Sequence, residues 1–125
     1  MADALDLYRF SRLAYRVTVT DIEDTQGIKK AILMLKKTVN DSDDASLLTI
    51  EIDETANEGG QIINDGSATG IAVLEFVIIE AALENVAAGK YYSGVKVILD
   101  NDHAHIVPDS IRVTFVNGPM VQDVD

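Results

Sequence analysis

The chain has 125 residues, of which 47% are hydrophobic and 25% are charged, values typical of a globular domain that buries a core. It contains no cysteine, which excludes a disulfide framework and any metal site built on thiolates. Ten Lys and Arg against 21 Asp and Glu give a formal net charge of −11, which excludes a general affinity for nucleic-acid phosphates. The length predicts a single domain over residues 1–125.

The apolar residues do not form a membrane segment. The opening Met1–Asp6 lacks the basic stretch and apolar run of a secretory signal, so we expect none. The longest apolar region, Ile71–Ala88, is interrupted by Glu75, Glu80 and Glu84, whereas a membrane-spanning helix needs about 20 largely uncharged residues. We therefore expect no membrane partner.

Short runs of alternating side chains recur along the chain, a pattern typical of half-buried strands. In chain order, the apolar positions of these runs are Tyr15, Val17 and Val19; Leu48, Ile50 and Ile52; Ala72, Leu74 and Phe76; Tyr91, Val95, Val97 and Leu99; and Ile111, Val113 and Phe115. Clusters of Asn, Asp, Gly and Ser, which favour tight turns, separate the runs. These clusters are Asn40–Asp44, Asn57–Gly60, Asn64–Ser67 and Asp100–Asp102. Five or more short strands joined by polar turns predict an antiparallel sandwich or barrel.

The segment Gly27–Lys37 is compatible with either a helix or a strand. Its Ala, Leu, Met and Lys residues favour a helix, and four apolar side chains would share one helical face. As a strand, it would direct Ala31, Leu33 and Leu35 to the core and Ile32 and Met34 to the other face. Local propensity slightly favours the helix, although a helix would leave Leu33 and Met34 on its polar side.

The most informative stretch is Leu83–His103. It predicts a short helical turn near residues 79–86, a break at Gly89, an aromatic-led strand and a polar turn. Chains that cross from one sheet of a sandwich to the other have this pattern at the crossing. We expect Tyr91 to be a corner tyrosine whose hydroxyl bonds the backbone near Ala87 and Ala88.

Tyr92 faces the opposite side of that strand from Tyr91. Tyrosine is enriched among the residues that anchor protein interfaces, and it is also common as a partly exposed surface residue. Tyr92 is therefore a candidate interface residue.

The nearest approach to a metal site is the cluster Asp100, Asp102, His103 and His105. A strand would place His103 and His105 on one face, as two imidazole ligands of a single ion require. Asp-Asn-Asp is equally an ordinary hairpin connection, and no third anchored ligand is evident. The turn is the favoured interpretation, and we predict neither a metal nor another cofactor.

Asp41, Asp43 and Asp44 resemble the start of a calcium loop but lack its turn glycine and its distant glutamate.

No catalytic residue is predicted either. The serines lack the glycine-flanked setting of a nucleophile, and carboxylate pairs are frequent simply because the chain is acidic. We therefore expect a protein that is not an enzyme.

Taken in order, these segments resemble the small immunoglobulin-like sandwich proteins of tailed phages and prophages, a group similar to the N-terminal domain of baseplate upper proteins. The matching pieces are Leu7–Arg9 with Tyr15–Val19, then Ala31–Lys37, Asn40–Leu48, and Gly70–Phe76 leading into Leu83–Asn101. No single motif is specific, and the ordered series over residues 6–117 carries the resemblance. It implies an all-β, immunoglobulin-like antiparallel β-sandwich and favours the strand for residues 27–37. We expect the core of the domain within about residues 6–117, the span of the resemblance, with short extensions at both ends.

The chain departs from the family pattern at several positions. Phe10 stands where a glycine is usual, Ser93 replaces an aromatic residue, and Asp100–Asp102 replaces an Asp-Gly hairpin. Pro108 lies in an irregular stretch before the last strand. Because proline cannot donate to a strand ladder, it implies an edge, a bulge or a crossing there.

The resemblance implies a non-enzymatic structural protein of the virion, assembled in the host bacterial cytoplasm. Its partners would be other virion proteins, and it would form a homo-oligomer or symmetric assembly as a tail or baseplate adaptor, or as a head-fibre or capsid-decoration subunit. The interface candidates are Tyr8, Arg9, Phe10, Tyr92, Met120 and Val121. The terminal segments Met1–Arg9 and Gly118–Asp125 are expected to reach a neighbouring protein, although they are equally well interpreted as frayed ends.

The alternative is a carbohydrate- or receptor-binding module of a phage adhesion device. Such a module would use exposed aromatic side chains to stack against sugars. Aromatic residues make up only 6% of the chain and tryptophan is absent, which disfavours this alternative.

Overall fold

The structure is a computed structural model that describes residues 5–8, 13–20, 27–38, 46–79, 83, 86–107 and 112–117. Nine strands lie in these ranges: β1 Leu5–Tyr8, β2 Leu13–Val19, β3 Ile28–Lys36, β4 Leu48–Ile52, β5 Gly60–Asn64, β6 Ala72–Ile78, β7 Gly89–Leu99, β8 Ala104–Ile106 and β9 Arg112–Asn117. None of these ranges contains a helix long and apolar enough to cross a lipid bilayer.

The strands form two sheets that pack face to face. The large sheet has the order β1-β9-β7-β3-β4, with β8 also paired to β7, and the small sheet has the order β2-β6-β5. Every described pair of neighbouring strands is antiparallel except β1 with β9. Side chains from both sheets form one hydrophobic core, with Phe76 and Leu74 of β6 and Val95 of β7 fully buried. The predicted all-β sandwich is confirmed.

The strand order is that of the immunoglobulin fold. In that fold, strands B, E and D share one sheet and strands C, F and G share the other. Here β2, β6 and β5 take the first set of places, and β3, β7 and β9 take the second. β4 extends the large sheet beside β3, and β1 lies beside β9 rather than beside β2.

Residues 28–36 form a central strand of the large sheet. β4 and β7 pair with β3 along its two edges, which a helix would leave without partners. As predicted for a strand, Ala31, Leu33 and Leu35 are buried in the core and Met34 lies on the other face. A register shift between Ile28 and Lys30 also brings Ile28 into the core. Tertiary pairing thus overrides the local helix propensity.

β9 buries its less hydrophobic face. Thr114 and Val116 are buried, with 0% and 2% of their surface exposed. Val113 and Phe115, the apolar positions of the predicted alternation, point away from the core, and Phe115 is 38% exposed. The last strand therefore presents apolar side chains on the outside of the sandwich.

The register of β9 with its neighbours accounts for this orientation. Thr114 lies opposite Tyr91 of β7 on one side and Leu5 of β1 on the other, and both of these side chains point into the core. The Thr114 hydroxyl forms a 2.7 Å hydrogen bond with the buried Ser93 hydroxyl and donates to the Arg112 carbonyl oxygen at 3.2 Å, so both buried hydroxyls have partners. A shift by one residue would break this pair and turn every side chain of β9 over.

β7 is the longest strand and holds the large sheet together. β3 pairs with it from Tyr92 to Leu99 on one edge. On the other edge, β9 pairs with its first half and β8 with its second half. The β7–β8 turn is closed by hydrogen bonds from Asp102 N–H to Leu99 C=O and from Leu99 N–H to His103 C=O, both 2.9 Å long.

Two predicted features lie largely or wholly outside the described residues. Of the helical turn near residues 79–86, the structure describes Ile79, Leu83 and Val86; Leu83 and Val86 are buried, and Val86 N–H donates to Leu83 C=O at 3.0 Å. Pro108 is outside the described residues.

Gly60 at the start of β5 is expected to be intolerant of a side chain. Its φ of +124° favours glycine, and a Cβ there would lie 1.9 Å from the Glu75 carbonyl oxygen of β6. We expect Gly60→Ala to lower the free energy of unfolding by about 2 kcal/mol or more in urea titrations.

Gly89→Ala is the matched control for this variant. Gly89 also has a positive φ, +157°, but a Cβ there meets only the Tyr91 ring at 3.8 Å. Equal destabilisation by the two variants would contradict the role assigned to the close approach between β5 and β6.

Candidate functional site

Tyr91 is a corner tyrosine, as its position predicts. Its side chain is 5% exposed, and its hydroxyl donates a 2.7 Å hydrogen bond to the Ala87 carbonyl oxygen. The Lys37 ammonium lies 5.0 Å from the centre of its ring. The hydrogen bond fixes the chain where it enters β7, so the role of Tyr91 is structural.

The carboxylates of the cluster weighed as a metal site, Asp100 and Asp102, are engaged in other contacts. Asp100 Oδ2 accepts a 3.1 Å hydrogen bond from the Gly27 N–H, and the Asp100 N–H donates to the Gly27 carbonyl oxygen at 2.9 Å. Asp102 pairs with the Lys29 ammonium. Both acidic residues thus tie the β7–β8 turn to the start of β3.

The two histidines come close together, although His103 lies in the turn and β8 begins only at Ala104. The ring centroids of His103 and His105 are 6.5 Å apart, and both residues are exposed. Within the described ranges, no three His, Asp or Glu side chains are placed to hold one metal ion. The cluster therefore has the structure of a hairpin turn, with Asp102 at a φ of +68°. Asp41, Asp43 and Asp44, whose sequence resembles only the start of a calcium loop, lie outside the described residues.

Local hydrogen bonds and charges lower the pKa values of two carboxyl groups in the turns, Asp102 and Asp65. The charge-assisted hydrogen bond with Lys29 and the positive charge of Lys29 lower the pKa of the Asp102 carboxyl below its ordinary value. The pKa of Asp65 is lowered chiefly by the Ser67 backbone N–H and then by the Ser67 hydroxyl, which bond its Oδ1 at 2.9 and 2.8 Å. Asp65 also accepts the Ile28 N–H through its backbone oxygen at 2.9 Å, so this turn too braces the start of β3.

A polar group faces the core at the start of β9. The Arg112 guanidinium lies 5.2 Å from the centre of the Tyr15 ring, and burial raises the pKa of Tyr15 although the Arg112 charge opposes the shift. The buried Arg112 Nε has no hydrogen-bond partner in the described part of the chain. This arrangement is a packing contact between the two sheets.

The most unusual surface is the outer face of the large sheet, the side turned away from the small sheet. Apolar side chains occupy this face on four of the six strands, β3, β7, β8 and β9, whereas β4 places Thr49 and Glu51 there. The apolar side chains are Ile32, Met34, Tyr92, Ile98, Ile106, Val113 and Phe115. Lys30, Lys36, Lys90 and Lys96 stand among them.

The pairing registers make this apolar surface continuous. Tyr92 lies beside Val113, and Met34 lies beside Gly94, one position further along β7 on the same face. Met34 is only 6% exposed although it is on the outside of the sandwich, whereas Ile106 is 50% exposed. The Lys90 ammonium is 5.8 Å from the centre of the Tyr92 ring. Tyr92, singled out from the sequence, is thus part of a larger apolar surface.

The remaining interface candidates are not placed by the structure. Arg9, Phe10, Met120 and Val121 lie outside the described residues. For Tyr8, the structure describes the backbone, which pairs with Asn117 as part of β1.

A shallow groove opens between the exposed edge of β4 and the end of β6. Its volume is about 250 Å³, and its lining includes Ile50, Val77 and Ile79 with Glu51 and Glu58. It therefore combines an apolar floor with acidic side chains.

Sequence reasoning found Tyr92 but missed the rest of the outer face. A signal was present in the sequence. Some alternating runs carry an apolar residue on the face that would otherwise be polar, such as Ile98 in β7. In β3, Met34 gave the same signal.

Tyr91→Phe is expected to lower the free energy of unfolding by about 1 kcal/mol, because it removes the hydroxyl that bonds Ala87. Tyr92→Phe is the matched control and should leave stability nearly unchanged. Urea unfolding of both variants provides the comparison, and a loss in Tyr92→Phe as large as that in Tyr91→Phe would refute the corner assignment.

The Asp102 carboxyl is expected to titrate below its ordinary value of 3.8, and Lys29→Gln should return it towards that value. Because the pKa is lowered in the folded state, the stabilisation from this pair is present above the ordinary pKa and is lost as the pH falls through the lowered one. Carboxyl-carbon NMR titration measures the shift. Lys30→Gln, which removes the partner of Glu51 instead, should leave Asp102 unaffected.

Comparisons with known proteins found no relative of this chain. No protein-family model, no curated protein and no solved structure matches the chain.

Proposed function

We propose that this protein is a non-enzymatic structural component of a tailed-phage virion that acts through protein–protein assembly. It would serve as a tail or baseplate adaptor, or as a head-fibre or capsid-decoration subunit. The proposal rests on the ordered resemblance of residues 6–117 to phage sandwich proteins, and one structural observation supports it: the apolar outer face of the large sheet.

An apolar sheet face is unusual on the outside of a small domain. Antiparallel sheets that face water on one side normally carry polar side chains there. Here that side carries Ile106 at 50% exposure and Phe115 at 38%. Surfaces of this kind are typical of protein contact sites.

The polar groups that a catalytic site would need are engaged in structural contacts. Asp100 and Asp102 hold the β7–β8 turn against β3, Ser93 bonds Thr114 in the core, and the Tyr91 hydroxyl bonds the corner. These contacts favour a scaffold over an active site.

The partners of this scaffold would be other virion proteins and further copies of the chain. The net charge of −11 disfavours the nucleic acid inside a phage head as a partner. The site of action would then be the assembled virion, reached from the host cytoplasm.

The receptor-binding alternative would use the same face. Tyr92 and Phe115 both lie on it, with Lys90 in register with Phe115 and 5.8 Å from the Tyr92 ring. A glycan-binding module would bind sugars on an array, and that binding would be lost in Tyr92→Ala.

Purification of phage particles from a host that produces this protein tests the proposal. We expect the protein in purified particles at a fixed stoichiometry, measured by quantitative mass spectrometry, and visible as a symmetric density in electron micrographs. A protein that is absent from purified particles and from their assembly intermediates would refute a structural role.

A further inference from the structure

We propose that two copies of this chain pair through the free edge of β2, antiparallel and about a twofold axis at Val17, so that their small sheets join into one continuous sheet. The inference rests on the proposed assembly function and names a surface through which copies associate. β2 runs from Leu13 to Val19 and pairs with β6 on one side only.

The first argument is the place that the fold leaves beside β2. In the immunoglobulin fold, strand A lies next to strand B in the same sheet. Here β1 lies beside β9 in the large sheet, so no strand among the described residues takes the place next to β2. No backbone hydrogen bond reaches that edge from the described part of the chain. A strand of another molecule can therefore extend the small sheet there.

The second argument is that β2 lacks the features that keep sheet edges from pairing. Such features are short strands, bulges, lysine or proline residues and covering loops. β2 pairs with β6 over all seven of its residues without a register shift, and it contains neither lysine nor proline. Its single charged residue, Arg16, is paired with Glu75 of β6 at 2.9 Å.

The other edge strands of the described structure are shorter or partly covered. β1 has four residues and β8 has three. On the outer edge of β5, the Ile62 N–H already donates to the Asp53 carbonyl oxygen at 2.8 Å, and the register shifts after Ile62. The turn at Gly59 lies against β4, since a Cβ there would be 3.6 Å from the Glu51 carbonyl oxygen. β2 is thus the edge best suited to pairing.

The pairing of β6 shows which backbone groups of β2 face the free edge. The Val77 N–H donates to the Gly59 carbonyl oxygen at 2.8 Å, so Val77 directs its backbone groups towards β5. Ala14 is the partner of Val77 on β2, and its N–H and C=O therefore point away from β6. Because these groups alternate between the two edges of a strand, those of Arg16 and Thr18 also point to the free edge.

The charges along the sequence around β2 select a second copy in the antiparallel direction. All charged residues within 9–16 are basic, and all those within 20–24 are acidic. Arg12 immediately precedes the strand, and Asp21 follows it by two residues. Antiparallel pairing of two β2 strands brings the basic beginning of each copy to the acidic end of the other, whereas parallel pairing brings like charges together.

The twofold axis at Val17 gives the favoured register. It sets Arg16 opposite Thr18 of the other copy and Tyr15 opposite Val19, so that polar side chains meet outside and apolar ones inside. An axis at Arg16 would place two arginines directly opposite each other, which is destabilising. A single pair of edge strands buries less than the roughly 800 Å² per partner of a standard interface, so we expect the isolated dimer to dissociate at micromolar concentrations.

Sedimentation velocity of the purified chain, up to roughly millimolar concentration, tests the inference. We expect a monomer–dimer equilibrium that Thr18→Lys weakens about tenfold or more, because it places a lysine opposite Arg16 of the other copy. Thr18→Pro should have the same effect, since the Thr18 N–H faces the free edge and its loss leaves the β2–β6 ladder intact. Thr49→Lys is the matched control, an exposed threonine on the edge strand β4, and should change association less than about twofold.

Disulfide cross-linking decides the register. The chain contains no cysteine, so Arg16→Cys and Thr18→Cys each carry a single thiol. Residues 16 and 18 of opposite copies form a hydrogen-bonded pair with Cα atoms about 5.5 Å apart, within reach of a disulfide. Equivalent residues of the two copies lie on a diagonal of about 7–8 Å or more, which a disulfide does not span. Oxidation of a mixture should therefore link the two different variants in preference to two identical ones.

Three outcomes would overturn the inference. They are a wild-type chain that stays monomeric at the highest concentration, dimers that Thr49→Lys weakens as much as the Thr18 variants do, and disulfides that form mainly between identical variants. Circular dichroism and thermal unfolding check that each variant stays folded. None of the three outcomes bears on whether the protein is found in virions, so failure here is distinguishable from failure of the proposed function.

Discussion

The pairing of β7 with β9 is the constraint on which the rest of the structure depends. It aligns Thr114 with Tyr91 and joins the Thr114 and Ser93 hydroxyls inside the core. Since side chains alternate along a strand, this single register decides which face of β9 is buried. It sends Val113 and Phe115 outward, beside Tyr92 and Lys90 of β7. A polar contact in the interior thereby determines the chemical character of the exterior.

The central strands that carry the apolar outer face also carry lysines. The central strands β3 and β7 carry lysines and no carboxylates, whereas the connections between strands carry most of the acidic residues. Where carboxylates approach the basic strands, they have defined partners: Asp102 with Lys29, and Glu51 with Lys30 at 3.1 Å. The acidic residues therefore lie mainly in the connections and edge strands of the sandwich and not in the central strands β3 and β7, so the net charge alone is a poor guide to what those strands contact.

Much of the fold was predictable because strand burial has a period of two. The buried positions of β2, β4, β6 and β7 are those that the alternation indicates, and the corner role of Tyr91 follows from its place before a crossing strand. β3 needed the family resemblance, because its helix propensity is overruled by partners distant in sequence. The orientation of β9 was not predictable, since it depends on a hydroxyl pair 21 residues apart. β5 and β8 are short, lie beside turn clusters and show no clear alternation. The outer face was missed because it exists only once four strands are aligned.

The parallel pairing of β1 with β9 has a mechanical consequence. These are the first and last described strands, and they lie side by side from Leu5 with Thr114 to Tyr8 with Asn117. A pull on the chain before β1 and after β9 acts in opposite directions along the two strands. All the hydrogen bonds between them are then loaded at once, in shear, and none can open before the others. A sandwich connected in this way transmits tension along its length while the core behind it stays folded.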